Sequence, residues 1–341
     1  MSAGETSDLT VALARARLPV KPPPVPPTSL SVRLHTAPWL HGLLPARLAL
    51  RRAQRQGAES WKRYPEERER ARAAMAAVVG GTERAGEVEA LSRRSLIESE
   101  AHRILFWRPL RTSSIDEHSR SHLDAALCSE RGVLLSSCHT GPVFQTMSVI
   151  AARGRGSFCV AAPWFFERPS QDYWGRRVAR WWRVAQTRNE HVLVSKGSFP
   201  VLRALLAQGE LVWLLFDMPG SRQTRFLGKS VMLSSGSARL ASESGALILP
   251  LRARREGHRT WVDVAAALDP GEFARDEDLH NALAAVHERW ILEQPEALED
   301  PRRKGAWEEG ATAGGWVRPG LGRPAGTTQY DGLGQRHRSV A

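Results

Sequence analysis

The sequence predicts an α/β fold, a largely parallel sheet flanked by helices, with an N-terminal helical region ahead of it and disordered ends. Three observations carry that prediction. From residue 132 onward, short apolar runs alternate with stretches of helical spacing. The runs are apolar at consecutive positions, as in strands covered on both faces of a parallel sheet. Both ends of the chain are poor in large aliphatic residues, with a Pro-rich stretch over 22–27 and a Gly- and Arg-rich sequence beyond Pro301.

Taken in order, residues 1–30 read as an extended Pro-rich arm. Residues 31–130 form the helical region. There Trp39, Leu40, Leu43, Leu44, Leu48 and Leu50 interleave with Arg47, Arg51, Arg52 and Arg55, and Pro65 opens a charged run that Gly80-Gly81 stops. The α/β core occupies 131–295. Its expected strands are 133–135, 158–160, 192–194, 211–216 and 247–251, with a further strand near 260–267. Helices are expected near 142–153, 171–186, 199–208, 236–244 and 276–293, the last with Leu279, Leu283, Val286 and Trp290 on one face. Residues 296–341 read as a low-complexity tail.

Composition excludes several classes. The 341 residues have no apolar run of about 18, and the first 30 carry polar, Pro-rich sequence where a secretory signal needs an apolar core. Cys128, Cys138 and Cys159 are odd in number and show no C-x-x-C spacing, which argues against a disulfide scaffold or a zinc site and for a reducing compartment. The net charge is +12, and 43 of the 48 basic residues are Arg. Such a chain attracts phosphate-rich partners, whether nucleic acid or an anionic membrane.

Four blocks carry candidate chemistry. Ser136-Ser137-Cys138-His139-Thr140-Gly141-Pro142 follows the first strand and presents a histidine at its carboxyl end, where a near-neutral imidazole suits a general base. Cys138 points to the opposite face from its neighbour and is a poor partner for it. The second block runs from Arg188 to Lys196-Gly197, and the third is Asp217-Met218-Pro219-Gly220-Ser221 followed by Phe226-Leu227-Gly228-Lys229. Both border strand ends, the place where open α/β sheets bind ligands. The fourth, Ser234-Ser235-Gly236-Ser237-Ala238, opens a helix whose backbone N–H groups suit a phosphate or an oxyanion, or simply a capped, closely packed helix.

In order and spacing these blocks resemble the bacterial lipid A late acyltransferases and phosphatidylinositol mannoside acyltransferases of the lysophospholipid acyltransferase superfamily. The likeness runs from about residue 35 to about 295. It rests on His139 and Gly141, on Lys196-Gly197, on Asp217 after an apolar strand, and on Phe226, Gly228, Gly236, Ala238, Leu240, Ala241, Gly245, Ala246 and Pro250. The resemblance implies transfer of a fatty acyl group from a thioester donor, acyl-CoA or acyl carrier protein, to a hydroxyl of a lipid or glycolipid acceptor, with no other cofactor and no metal. It implies His139 as the base and makes Gly141, Arg188, Lys196, Ser235 and Gly236 candidates for substrate binding.

Two departures from the family matter. Family members carry a Glu or Asp after four intervening residues beyond the histidine; here that position is Phe144, and no carboxylate occurs from 140 to 166. Asp217, on another strand, is the nearest substitute by topology, and its absence from the site would leave a degenerate, lipid-binding relative. Instead of the family's N-terminal hydrophobic helix the chain has the short amphipathic stretch 37–56, whose Trp39, Leu43, Leu44, Arg47 and Arg51 suit peripheral attachment to an anionic membrane, here the cytoplasmic face of the inner membrane. Trp164, Trp174, Trp181 and Trp182 among Arg168, Arg176, Arg177, Arg180 and Arg183 suit either a lipid interface or, as a third reading, single-stranded nucleic acid.

Overall fold

A computed structural model describes residues 37–108, 112–161, 172–188 and 190–298, with Leu30 and two short paired segments at 329–330 and 336–337. The arm expected over 1–30 and nearly all of the expected tail lie outside the described residues.

The N-terminal region folds as helices α1 (Pro38–Leu43), α2 (Ala46–Arg63), α3 (Pro65–Val79), α4 (Val88–Trp107) and α5 (Glu117–Leu127). The amphipathic stretch over 37–56 is therefore two helices and not one. Pro45 has no N–H and sits at the N-cap of α2, and the next proline, Pro65, opens α3. Asp116 caps α5 by accepting from the Ser119 N–H at 2.7 Å.

The strands of the core region are β1 (Val133–Ser137), β2 (Ser157–Ala161), β3 (Glu190–Val194), β4 (Leu211–Leu215), β5 (Pro219–Phe226), β6 (Lys229–Leu233), β7 (Leu247–Glu256) and β8 (Arg259–Val264). Six of them form one sheet in the order β3-β2-β4-β1-β7-β8. All its pairings are parallel except β7 with β8, which form an antiparallel edge. Helices α6 (Met147–Ala151), α7 (Asp172–Thr187), α8 (Phe199–Ala207), α9 (Gly236–Ser244) and α10 (Asp276–Glu293) connect and cover the strands.

Alternation along the strands divides the core into two layers. Leu134, Cys138, Val212 and Phe216 face α8, α9, α10 and α3, packing with Leu202, Leu240, Leu283, Val78 and Met75. Val133, Leu135, Leu211 and Trp213 face the other way, toward Leu123, Ile150, Trp181 and Trp182 of α5, α6 and α7. A third, smaller cluster joins α2 to α4 through Ala49, Leu50, Ala53, Ala101 and Ile104. Helix contact there is close enough that a Cβ on Gly57 would meet the Ile97 Cα at 2.6 Å.

Three features differ from the sequence expectation. The helix expected near 142–153 begins as a 3-10 turn over 143–145 and becomes α-helical at Met147, because Gly141 at φ +60° and Pro142 hold the preceding chain in a tight turn. A separate hairpin of β5 and β6 follows β4, over a stretch where the sequence suggested no strand or helix. Its two-residue turn puts Leu227 at φ 54° and Gly228 at φ 71°, the left-handed pair that suits a tight hairpin. The packed chain also runs past the expected boundary at 295: Ala297 accepts a hydrogen bond from the Gly141 N–H at 2.8 Å and Leu298 is buried.

Candidate active site

The site is built by strand register. In the parallel pair, Val133 lies opposite Leu211 and Ser137 opposite Leu215, a constant offset of one residue for one residue. The ladder continues one step further, where the Phe216 N–H donates to the Ser137 carbonyl at 2.7 Å. Two residues past each strand end, the same register brings His139 and Asp217 side by side. Their contact is double. Nδ1 of His139 meets Oδ1 of Asp217 at 2.8 Å, and the His139 backbone N–H donates to Oδ2 at 3.0 Å.

Burial divides the pair into an inner and an outer member. The Asp217 side chain is fully enclosed, whereas His139 keeps 27% of its side-chain surface. A buried carboxylate is stable as an anion only when donors satisfy it, and the two N–H groups of one residue do so here. With Asp217 as the carboxylate, Nδ1 carries the ring proton and Nε2 keeps its lone pair.

Helix α10 backs the acid. His287 is fully buried, stacks on Phe216 at 5.1 Å and 24°, and meets the Ser136 hydroxyl at 2.9 Å through Nε2. Two turns earlier on the same helix face, His280 lies 5.2 Å from the Phe216 ring. The Thr224 hydroxyl donates to the Arg222 carbonyl and therefore accepts from Nε2–H of His280 at 2.8 Å. Burial pushes both imidazoles down to about 4, opposed at His287 by the charge of Asp217. Neither histidine was singled out in the sequence; their spacing of seven on an apolar helix face resembles ordinary core positions.

The other candidates fall in several places. Gly141 is dictated by sterics, since a Cβ there would lie 2.0 Å from the Ala253 carbonyl oxygen, and its N–H is taken by Ala297. Lys196 is exposed on the turn after β3, beside Gly197 at φ +75°. Ser235 sits at the start of α9 without a capping hydrogen bond of its own, and the Ser234 hydroxyl instead accepts from the Gly236 N–H at 3.3 Å. Arg188, expected to face substrate, is buried and donates to the Phe144 carbonyl and, at 3.0 Å, to Oε1 of Gln145. It braces the turn that follows His139.

Phe144 is embedded in aromatic contacts. Its ring lies 6.2 Å from Phe106, 6.3 Å from Trp181 and 6.2 Å from Trp213, all in edge-on arrangements. Trp181 and Trp182 are buried in the same layer, which removes their faces from any nucleic-acid stack. Trp164 and Arg168 lie outside the described residues. Cys138 is buried in the opposite layer, in keeping with its pointing away from His139.

At the far N-terminal end, Leu43 is 72% exposed, and Leu40, Leu44 and Leu48 are exposed with it. Arg47, Arg51, Arg52 and Arg55 share that surface, while Arg108 clamps the α1–α2 junction by donating to the carbonyls of His41 at 2.6 Å and Leu44 at 2.8 Å. The Trp39 side chain lies outside the described ones. Among the described residues no helix is long and apolar enough to cross a membrane.

The crystal structure of the 1-acyl-sn-glycerophosphate acyltransferase of Thermotoga maritima matches with a TM-score of 0.35 and 16% identity, covering 62% of this chain and 81% of that one. No curated protein matches the sequence. The family model for bacterial lipid A biosynthesis acyltransferases matches residues 35–298, the whole span from the first helices to the turn that meets Gly141. By that match, over the same stretch that holds His139, Asp217 and the six-stranded sheet, the chain belongs to the bacterial lipid A biosynthesis acyltransferase family.

Proposed function

We propose that the protein transfers a fatty acyl group from a thioester, carried by coenzyme A or acyl carrier protein, to a hydroxyl of a lipid or glycolipid. The observation that carries this reading is the His139–Asp217 contact at 2.8 Å, which restores a carboxylate where the sequence has Phe144. Nε2 of His139 removes the proton of the acceptor hydroxyl as its oxygen attacks the thioester carbonyl. The tetrahedral intermediate collapses with cleavage of the C–S bond, and the imidazolium returns its proton to the departing thiolate. Asp217 stays ionised throughout and stabilises the imidazolium.

Peripheral attachment to an anionic membrane, on the cytoplasmic face of the inner membrane, fits the same reading. The exposed Leu40, Leu43, Leu44 and Leu48 supply apolar contact, and Arg47 and Arg51 supply charge attraction. Phe144 is the feature that favours a catalytically silent, lipid-binding relative, and the contact of Asp217 with His139 supports the active reading against it.

Lipid mass spectrometry of cells carrying the wild-type gene, no gene, or His139→Ala tests the reading. One acyl chain is expected to disappear from a lipid species in both the null and the variant, with the variant folded to the same thermal stability. Identical lipids in all three strains would sink the transferase and leave the lipid-binding relative.

A further inference from the structure

Helix α5 carries His118 and His122 one turn apart on a single face. Their rings meet edge-on, with centroids 4.2 Å apart at 64°. Two imidazoles at this spacing are the arrangement in which one helix offers a pair of nitrogen ligands to a transition ion. Simple ring-on-ring packing is the bland alternative, and three observations weigh against it.

The first is orientation. Nδ1 of His122 lies 3.0 Å from the Val264 carbonyl, an acceptor only, so Nδ1 carries the proton and Nε2 keeps its lone pair. Histidines that ligate metals are typically aimed by such a bond from the other ring nitrogen. The second is rigidity. The Ser119 hydroxyl accepts from the Val264 N–H at 3.1 Å, so α5 side chains hold both backbone polar groups of that residue on β8, and Asp116 caps the helix start. The third is availability. His118 is exposed and, among the described residues, forms no hydrogen bond or ion pair, whereas His102 lies 3.8 Å from Glu98 and His139 2.8 Å from Asp217.

The positive end of a helix disfavours a cation, and the carboxylates of Asp116 and Glu117 stand at that end to oppose it. The neighbouring arginines are themselves paired, Arg120 with Glu117 at 3.6 Å and Arg254 with Asp263 at 2.8 Å. No third His, Cys, Asp or Glu completes a cluster among the described residues. The remaining coordination positions therefore fall to water, which makes the site exchangeable and unlike a closed structural zinc cage.

We propose that His118 and His122 form a surface site for an imidazole-seeking divalent transition ion, Zn2+ or Cu2+, bound through one nitrogen of each ring. The ion staples the first turns of α5 where that helix is fastened to β8. The site uses neither His139 nor Asp217 and is independent of the acyl-transfer reading.

The test is calorimetric titration of the untagged full chain with zinc chloride and then copper(II) chloride, with Tm measured in parallel. Wild type is expected to bind both, Cu2+ more tightly than Zn2+, and to gain Tm with either. His118→Ala is expected to bind at least tenfold more weakly and to lose the metal-dependent gain in Tm, since loss of even an outer-sphere partner costs about 10- to 100-fold in metal affinity. His122→Ala should behave alike, but it also loses the bond to Val264, so exposed His118 gives the cleaner variant if His122→Ala is unstable. Cys128 is exposed at the far end of α5, about 9 Å along the axis from His122. Cys128→Ser and His139→Ala are both expected to bind as wild type does. Equal affinity in wild type and His118→Ala, no binding by wild type at millimolar zinc, or loss of binding in Cys128→Ser or His139→Ala would overturn the proposal.

Discussion

Replacing Asp217 with Asn changes charge and hydrogen-bonding capacity while keeping shape, which isolates the role of the carboxylate. Asp217 accepts two N–H groups with its two oxygens, Nδ1–H at 2.8 Å and the His139 backbone N–H at 3.0 Å. An amide has one oxygen, so one of those donors must face an NH2 group. The ring escapes the conflict by moving its proton to Nε2, the atom whose lone pair the reaction needs. To react, the ring must carry its proton on Nδ1 against that NH2 group, which forfeits a charge-assisted hydrogen bond of about 1.5–3 kcal/mol and leaves a buried donor without an acceptor at about 1–3 kcal/mol. Because His139 retains 27% of its side-chain surface, solvent screens part of the charge term, and the lower halves of both ranges apply. Together they amount to about 3–4 kcal/mol, or roughly a 100- to 1,000-fold fall in kcat at about 1.4 kcal/mol per decade. The assay is the initial rate of acyl transfer from an acyl-CoA, read by mass spectrometry of the product, with Tm measured in parallel. Acceptor KM is expected to stay within about twofold, since Asp217 acts through His139 and not on substrate. An Asp217→Asn variant that keeps more than a tenth of wild-type kcat at unchanged Tm would refute the assignment.

Three further outcomes are expected. Phe144→Glu should lower both stability and activity, because it puts a carboxylate among Phe106, Trp181 and Trp213 without a prepared donor, at a cost of about 3 kcal/mol; a gain of activity in the variant would show that the acid at 217 is idle. His280 and His287 titrate near 4 in the fold and near 6.5 when unfolded, so the unfolded chain binds more protons between those values. Their stabilising contribution is complete above about pH 6.5 and is lost as pH falls toward 4, on the order of 2 kcal/mol each; urea midpoints equal at pH 7.5 and 5.0 would contradict it. Vesicle binding should require anionic lipid, weaken as salt rises, and drop at least fivefold in Leu43→Glu, whose parent side chain is 72% exposed; co-sedimentation with neutral vesicles at all salt levels would count against it.

The parallel core was legible because fully buried strands leave a dense apolar signature. The runs at 133–135 and 211–216 fall on β1 and β4, and the helices expected over 236–244 and 276–293 match α9 and α10. The hairpin β5–β6 was not legible, since its strand Pro219–Phe226 is largely polar and only Leu227-Gly228 carries a turn signal. The pairing of His139 with Asp217 was legible as topology but not as geometry. Sequence places both at strand ends, but only the observed order, with β4 beside β1 and the register Ser137 opposite Leu215, makes them neighbours. The burial of Arg188 was not legible, because a lone arginine at a strand's entrance carries no sign of it; its partners, the Phe144 carbonyl and Gln145, are more than forty positions away in the chain.

The close approach of Gly81 and Gly228 has a mechanical meaning. A Cβ on Gly228 would lie 2.0 Å from the Gly81 carbonyl oxygen, so the end of α3 and the tip of the β5–β6 hairpin are pressed backbone to backbone. The Lys229 ammonium donates to the Ala77 carbonyl at 3.0 Å and Arg84 donates to the Leu292 carbonyl, adding fastenings on either side. Farther out, Gly57 locks α2 onto α4, and Arg255 of β7 pairs with Glu98 of α4. A rigid strut therefore runs from the leucines of α1 and α2 to the sheet that presents His139. If those leucines seat the protein on a bilayer, the height of the imidazole above the lipid is set by the length of the strut, and the acceptor hydroxyl that fits is the one whose headgroup stands at that height.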